Sequence, residues 1–211
     1  MVARALHLVR HGEVFNPAGV IYERLPGFRL SERGEAMATR TAEWLAGEPI
    51  TRVIASPLLR TQQSASPVAD AFRLPIEADE RVIEGTNRFA GTSVRTAVGR
   101  NPLLAWRLRN PLRPSWGEPF AVVRDRMRAA VLDAFKAGDP EHDVVIVTHQ
   151  LPIWMVHRSV EGAPLAHDPR NRRCNLSSVT SLAVRDGRIV EIGYEDPAAA
   201  LAAGAVDAGA T

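Results

Sequence analysis

An unbroken apolar run, Val144 to Val147, constrains the fold of this chain more than any other segment. A strand that is apolar on both faces is typical of a parallel sheet covered by helices on each side. Two further buried strands are predicted before it, at residues 5–9 and 53–55, and segments with helical spacing of apolar residues separate the three. This alternation predicts an α/β fold, a three-layer α/β/α sandwich with a mostly parallel central sheet.

The segment that follows the last parallel strand predicts an antiparallel addition to this sheet. Residues 176–184 and 188–193 alternate between apolar and polar side chains. Asp186-Gly187 between them is a strong signal for a hairpin turn, because both residue types tolerate a positive φ. We therefore expect the sheet to end in an antiparallel C-terminal strand.

Four helices are predicted beside the strands. Ser31 is a good N-cap for the first, which ends near Gly47. Ser56-Pro57 supplies an N-cap and a first helical residue for the second. The other two are predicted over residues 119–137 and 152–161.

The length of 211 residues fits one domain, which we assign to residues 1–196. Residues 85–117 are irregular and rich in Gly and Pro, and they predict a lid or insertion with short helices. The aromatic residues of this lid suit either a homodimer interface or the core, so a homodimer stays open. The Ala- and Gly-rich residues 197–211 predict a tail that is either a frayed helix or disordered.

Composition narrows the classes of function. No apolar run is long enough for a transmembrane helix, and the N-terminus has no signal-peptide pattern, so we expect no membrane partner and a cytoplasmic protein. The sequence pI of 9.2 is weak evidence for nucleic-acid binding, because the net charge is only +2 and no basic surface with interleaved aromatic residues stands out. Cys174 is the only cysteine, and no ligand cluster has metal spacing, so no metal or other cofactor is expected.

Basic side chains follow the predicted parallel strands at the point where each ends. Arg10 and His11 directly follow the first strand, and His149 follows the unbroken apolar run. Arg60 lies in the first turn of the helix after the second strand. Ligands of open α/β sheets bind beyond the carboxyl ends of the strands, so we expect these four side chains to converge. Guanidinium groups match phosphate oxygens, and imidazole is a nucleophile near neutral pH, so a small phosphorylated substrate is indicated.

Three segments resemble motifs of the histidine phosphatase superfamily, also called the phosphoglycerate mutase-like family. They are LVRHGE at residues 8–13, ASPLLRT at residues 55–61 and VTH at residues 147–149. Residues 30–34, LSERG, are similar to the start of a helix in that family. The resemblance covers about residues 6–190, and it implies a phosphoglycerate mutase-like fold and phosphoryl transfer through a phosphohistidine.

The resemblance also implies roles for individual residues. His11 is similar to the nucleophile that becomes phosphohistidine, and His149 joins Arg10 and Arg60 in the phosphate pocket. Asn16 matches an asparagine of the family that donates to phosphate.

The resemblance further assigns the proton donor. Glu84 matches the acid that protonates the leaving oxygen and then activates water, and a raised pKa would suit that role. Glu80 is the rival carboxylate. His149 would add a positive charge if a bound phosphate dianion protonates it. Gln150 stands directly after His149, where many relatives have a small residue.

The leading hypothesis is therefore a metal-independent phosphomonoesterase, which transfers phosphate to His11 and then to water. The first alternative is a mutase that returns the phosphoryl group to a phosphoglycerate, although this chain is short for the mutases of the family. The second is a non-catalytic binding protein that retains the fold. The arginines of the lid and of residues 170–173 predict either a solvated surface or contacts to a second acidic group of the substrate.

Overall fold

Six strands form one mixed sheet in the order β3-β2-β4-β1-β5-β6. The computed structural model describes residues 2–92 and 117–207. The strands of this part are β1 Ala5–Arg10, β2 Ile50–Ala55, β3 Ile76–Ala78, β4 Asp143–Thr148, β5 Val179–Arg185 and β6 Arg188–Glu195. Strands β1 to β4 are mutually parallel, whereas β5 pairs antiparallel with β1 and β6 pairs antiparallel with β5. The mostly parallel sheet with an antiparallel C-terminal end is confirmed.

Helices cover both faces of the sheet. The α-helices of the described part are α1 Glu32–Leu45, α2 Leu59–Phe72, α3 Phe120–Ala137 and α4 Gln150–Val160. The helices α1 and α2 pack on the face that carries Val53, Val145 and Val147. The helices α3 and α4 pack on the opposite face, against Leu8 and Ile146. Because β1 and β4 are buried along their whole length, they form the middle layer of the predicted three-layer sandwich.

A local sequence signal accounts for the start of α1 but not for the start of α2. Ser31 caps α1 as predicted, because its hydroxyl accepts a hydrogen bond from the Gly34 amide at 3.0 Å. The prediction that Ser56 caps the second helix and Pro57 begins it is wrong, because α2 begins at Leu59 and Leu58 is its N-cap. The Ser56 hydroxyl instead bonds to a ring nitrogen of His149, at 2.9 Å.

The predicted hairpin turn joins β5 to β6. Asp186 and Gly187 both have positive φ values, 51° and 72°, as the predicted turn requires.

The tail as far as Asp207 contains a short 3-10 helix, Ala199–Leu201. It packs through Ala198 against α1, and its last described residue forms an ion pair with Arg10.

Most of the predicted lid, residues 93–116, lies outside the described residues. Within the described part, no helix combines the length and the apolar character that crossing a membrane requires.

Candidate active site

The carboxyl ends of β1 and β4 bring four side chains of the sequence prediction together. Arg10 is the last residue of β1 and His11 follows it, while His149 follows β4 and Arg60 lies in the first turn of α2. The ring centroids of the two histidines are 5.2 Å apart. Both guanidinium groups are buried, since Arg10 and Arg60 are each only 1% exposed. A buried cluster of this charge is suited to an anion.

The imidazole of His11 has a defined orientation. Its Nδ1 lies 2.8 Å from the Gly12 carbonyl oxygen, which can only accept, so Nδ1 carries the hydrogen. The lone pair therefore lies on Nε2, and the Nε–H of Arg60 donates to it from 3.3 Å. Burial, and then the charges of Arg60 and Arg10, lower the pKa of His11 well below its ordinary value. His11 is thus neutral and nucleophilic near pH 7.

Besides His11, the Arg60 side chain contacts three further residues around the pocket. One terminal nitrogen donates to the carbonyl oxygen of Glu23 at 2.6 Å and lies 3.2 Å from Nδ1 of His149. The guanidinium also lies over the ring of Tyr22, 4.8 Å from its centroid. These contacts fix the plane of the Arg60 guanidinium before a ligand binds. The entropy cost of ordering this long side chain is therefore not added to the cost of ligand binding.

His149 is held by a hydrogen bond on each ring nitrogen. Arg60 donates to Nδ1, so the hydrogen lies on Nε2 and points to the Ser56 hydroxyl at 2.9 Å. Burial and the charge of Arg60 lower the pKa of His149 well below its ordinary value. The ring is therefore neutral in the free site, and only a bound dianion would favour its protonation.

Arg10 is oriented from the C-terminal half of the chain. Its Nη1 donates to the carbonyl oxygen of Cys174 at 2.7 Å, and its Nη2 pairs with the carboxylate of Asp207. Its Nε is buried without a hydrogen-bond partner in the described part of the chain.

The loop after His11 packs tightly on the start of α1. A Cβ atom at Gly12 would lie 2.4 Å from the carbonyl oxygen of Gly34, and one at Gly34 would lie 2.0 Å from that of Glu13. The Glu13 carboxylate accepts hydrogen bonds from the Ser31 hydroxyl and, in the tail, from the Val206 amide. Two glycines on facing segments thus let the backbone that carries His11 approach the helix closely.

Glu84, rather than Glu80, lies in the pocket. Its side chain is buried, and burial raises its pKa against the opposing effects of the Gly85 amide and of Arg60. Two side chains hold its backbone, because Arg24 and Arg126 both donate to the carbonyl oxygen of Glu84, at 2.7 and 3.2 Å. Glu80 is exposed in a short 3-10 helix, Glu80–Val82.

A second buried carboxyl, Glu23, was not predicted from the sequence. Burial, and then the nearby Glu84, raise the pKa of Glu23 to about 8. Its φ is 35°, a left-handed conformation that a residue with a Cβ adopts at a cost. The strained backbone directs its carbonyl oxygen to Arg60. The only sequence signal was an acidic residue within an irregular loop, which is normally a solvated position.

Asn16 is placed differently from the other predicted ligands. Its side-chain amide donates to the Val20 carbonyl oxygen at 2.8 Å and accepts from the Val20 amide at 3.2 Å. Both polar atoms thus close a turn of the loop. Its predicted contact with phosphate would require these bonds to rearrange.

One group of residues in the described part has three possible metal-ligating atoms close together. The ligand atoms of His7, Glu48 and Asp143 lie within 4.8 Å of one another. Arg4 hydrogen-bonds to both carboxylates, so a guanidinium already supplies the positive charge there. Asp143 begins β4, whereas His149 follows its end, so this group lies away from the pocket.

Sequence comparison identifies the family. The profile of the histidine phosphatase superfamily (branch 1) matches residues 6–197. An uncharacterised protein of Mycobacterium tuberculosis, Rv0525, is 47% identical over 196 residues, which cover 92% of this chain and 96% of that protein. Phosphoserine phosphatase 1 of Hydrogenobacter thermophilus is 30% identical over 167 residues, covering 76% of this chain and 78% of the relative. Other relatives are described as phosphoglycerate mutases.

Structural comparison confirms the phosphoglycerate mutase-like fold. YhfR of Bacillus stearothermophilus superposes with a TM-score of 0.77 at 24% sequence identity. The match covers 89% of this chain and 94% of YhfR.

Proposed function

This chain belongs to the histidine phosphatase superfamily, branch 1, and we propose that it is a metal-independent phosphomonoesterase that forms a phosphohistidine at His11. One observation carries the proposal. The lone pair on Nε2 of His11 faces Arg60 inside a buried cluster that also holds His149 and the carboxyl of Glu84. Its substrate would be a small phosphorylated metabolite.

The first half of the reaction transfers the phosphoryl group to the enzyme. The lone pair of His11 Nε2 attacks phosphorus, and the N–P bond forms as the bond from phosphorus to the leaving oxygen breaks. The electron pair of that bond goes to the leaving oxygen, which takes the proton of Glu84 and departs as an alcohol. Arg10 and Arg60 stabilise the charge on the three equatorial oxygens.

The second half returns the enzyme to its starting state. Ionised Glu84 takes a proton from water as the water oxygen attacks phosphorus. The N–P bond breaks, its electron pair returns to Nε2, and inorganic phosphate is released. The raised pKa of Glu84 supports both roles, because it favours the protonated acid before the first step and makes the carboxylate a better base after that step.

The positive charge of the pocket supports catalysis without a metal ion. Two buried guanidinium groups face the position of the phosphoryl group, and His149 becomes a further donor when a dianion raises its pKa. In the described part of the chain, the three-residue group with metal-binding spacing lies elsewhere and already contacts Arg4.

The test is phosphate release from p-nitrophenyl phosphate and a set of phosphorylated metabolites, with EDTA present. We expect turnover in the wild type, none in His11→Ala, and an acid-labile phosphoryl adduct on His11 after rapid quenching. Loss of activity in EDTA, or a label on another side chain, would contradict the proposal. Isomerisation of 3-phosphoglycerate with a bisphosphoglycerate primer, without phosphate release, would identify a mutase instead.

A further inference from the structure

Three arginines that are close in sequence have different surroundings. Arg170 lies on the surface and pairs with Asp168, at 2.6 Å. Arg173 pairs with Glu191 and lies over the ring of Tyr194. Arg172 is the one of the three without a carboxylate within salt-bridge distance among residues 2–92 and 117–207, and it is half-buried.

Two neutral acceptors hold Arg172. Its Nε donates to Nε2 of His167 at 2.8 Å, and its Nη1 donates to Oε1 of Gln150 at 3.0 Å. His167 Nδ1 donates to the Leu165 carbonyl oxygen, which leaves the lone pair on Nε2. Burial lowers the pKa of His167 to about 4, so this ring is uncharged near pH 7. The guanidinium is therefore fixed in place, and no carboxylate of the described residues neutralises its charge by direct contact.

Gln150 connects this guanidinium to the phosphate pocket. It is the first residue of α4, directly after His149. Its Nε2 donates to the Cys174 carbonyl oxygen at 3.4 Å, and Arg10 donates to the same oxygen at 2.7 Å. The charge of Arg172 also acts against the raised pKa of the Glu84 carboxyl, in agreement with a position of Arg172 beside the same pocket.

We propose that Arg172 binds an anionic group on the leaving part of the substrate, a carboxylate or a second phosphate, and so determines which phosphomonoesters the pocket accepts. The inference rests on the proposed function, since it names the substrate class of the same site. Gln150 and His167 are positioning residues in this arrangement. They hold the guanidinium plane ready for two parallel hydrogen bonds to an oxyanion.

Matched substrate pairs test this directly. 3-Phosphoglycerate and glycerol 3-phosphate differ by a carboxylate in place of a hydroxymethyl group. Fructose 1,6-bisphosphate and fructose 1-phosphate differ by a second phosphate. We expect the wild type to prefer the anionic member of at least one pair, and the pair that shows the preference identifies the anion.

In Arg172→Gln, the ratio of kcat/KM between the two members should fall about 10- to 100-fold, as expected for a lost hydrogen bond to a charged group. Most of the loss should lie in KM, and Arg172→Lys should recover part of it. The ratio within one variant does not depend on the fraction of folded enzyme. Arg170→Gln, the matched surface control, should leave the ratio unchanged.

Equal loss on both members of each pair would overturn the inference, because it would show that Arg172 acts only through Glu84. Absence of any preference for the anionic member in the wild type would also overturn it. Failure of the proposed function is a separate result, in which p-nitrophenyl phosphate is not hydrolysed or is hydrolysed equally by His11→Ala.

Discussion

The Nε–H of Arg60 donates to the lone pair of His11 Nε2 from a distance of 3.3 Å. The guanidinium therefore lies along the direction in which this lone pair must attack phosphorus. Its other contacts, to Glu23 and His149, hold it in this position. A phosphoryl group that enters would exchange this hydrogen bond for bonds from Arg60 to its oxygens. Arg60 therefore keeps the nucleophile neutral before substrate binds and stabilises the charge of the transition state afterwards.

We predict that Arg60→Gln lowers kcat/KM about 10²- to 10³-fold, the usual effect of removing one donor to transition-state charge. The same change should raise the pKa of His11, because the charge of Arg60 is one of the causes that lower it. The acidic limb of the pH profile of kcat/KM would then move to higher pH. Steady-state rates and NMR titration of His11 measure the two effects, and an unmoved titration would contradict the electrostatic role.

Glu84→Gln separates proton donation from phosphate binding. With an alkyl phosphate, whose leaving oxygen needs a proton, we expect kcat to fall about 10²- to 10⁴-fold. With p-nitrophenyl phosphate, the transfer step needs no proton, so rapid-quench kinetics should show a burst and slow hydrolysis of the phosphoenzyme.

The pH dependence of the rate is a second test of the acid role of Glu84. Burial raises its pKa, so the acid form required for the first step persists above the ordinary range of a carboxyl and is lost as the pH rises through the raised value. Glu84→Gln should remove this basic limb. Glu80→Gln, a change at an exposed carboxylate, is the control and should leave rate and profile unchanged. A large effect of Glu80→Gln would reverse the assignment.

Asp207 is predicted to compete with phosphate for Arg10. Its carboxylate pairs with the buried guanidinium, and the Asp207 side chain is 36% exposed, so displacement requires only movement of the tail. We expect Asp207→Asn to bind inorganic phosphate about two- to fivefold more tightly, in line with a partly exposed ion pair. Isothermal titration calorimetry measures the change. Weaker binding would instead show that Asp207 orients Arg10 for the substrate.

Much of the site follows from the sequence because it depends on strand ends. In a parallel sheet, residues that follow neighbouring strands meet at one edge, and this alone brings His11 and His149 together. Arg60 joins them because it lies in the first turn of a helix that directly follows β2. Apolar periodicity determines these elements, and periodicity can be read from one sequence.

The remaining parts of the site depend on the paths of irregular segments. Glu23 enters the pocket through a left-handed backbone conformation, which no side-chain pattern encodes. Asp207 reaches Arg10 from almost 200 residues away in sequence, through a tail whose composition predicts little structure. Ser56 is a residue type that favours N-cap positions, but its hydroxyl accepts a hydrogen bond from His149. This contact could not be predicted, because the two residues are far apart in sequence and meet only in the assembled sheet.

The close approach of Gly12 and Gly34 yields a prediction about stability. A Cβ at position 34 would lie 2.0 Å from the carbonyl oxygen of Glu13, a backbone atom that cannot move without shifting the loop that carries His11. We expect Gly34→Ala to lower the free energy of unfolding by about 1–3 kcal/mol, the usual cost of overpacking. Gly47→Ala is the matched control, since no heavy atom lies within 4 Å of its added Cβ. Urea denaturation should show a lower midpoint for Gly34→Ala alone, and equal midpoints for the two variants would refute the packing argument.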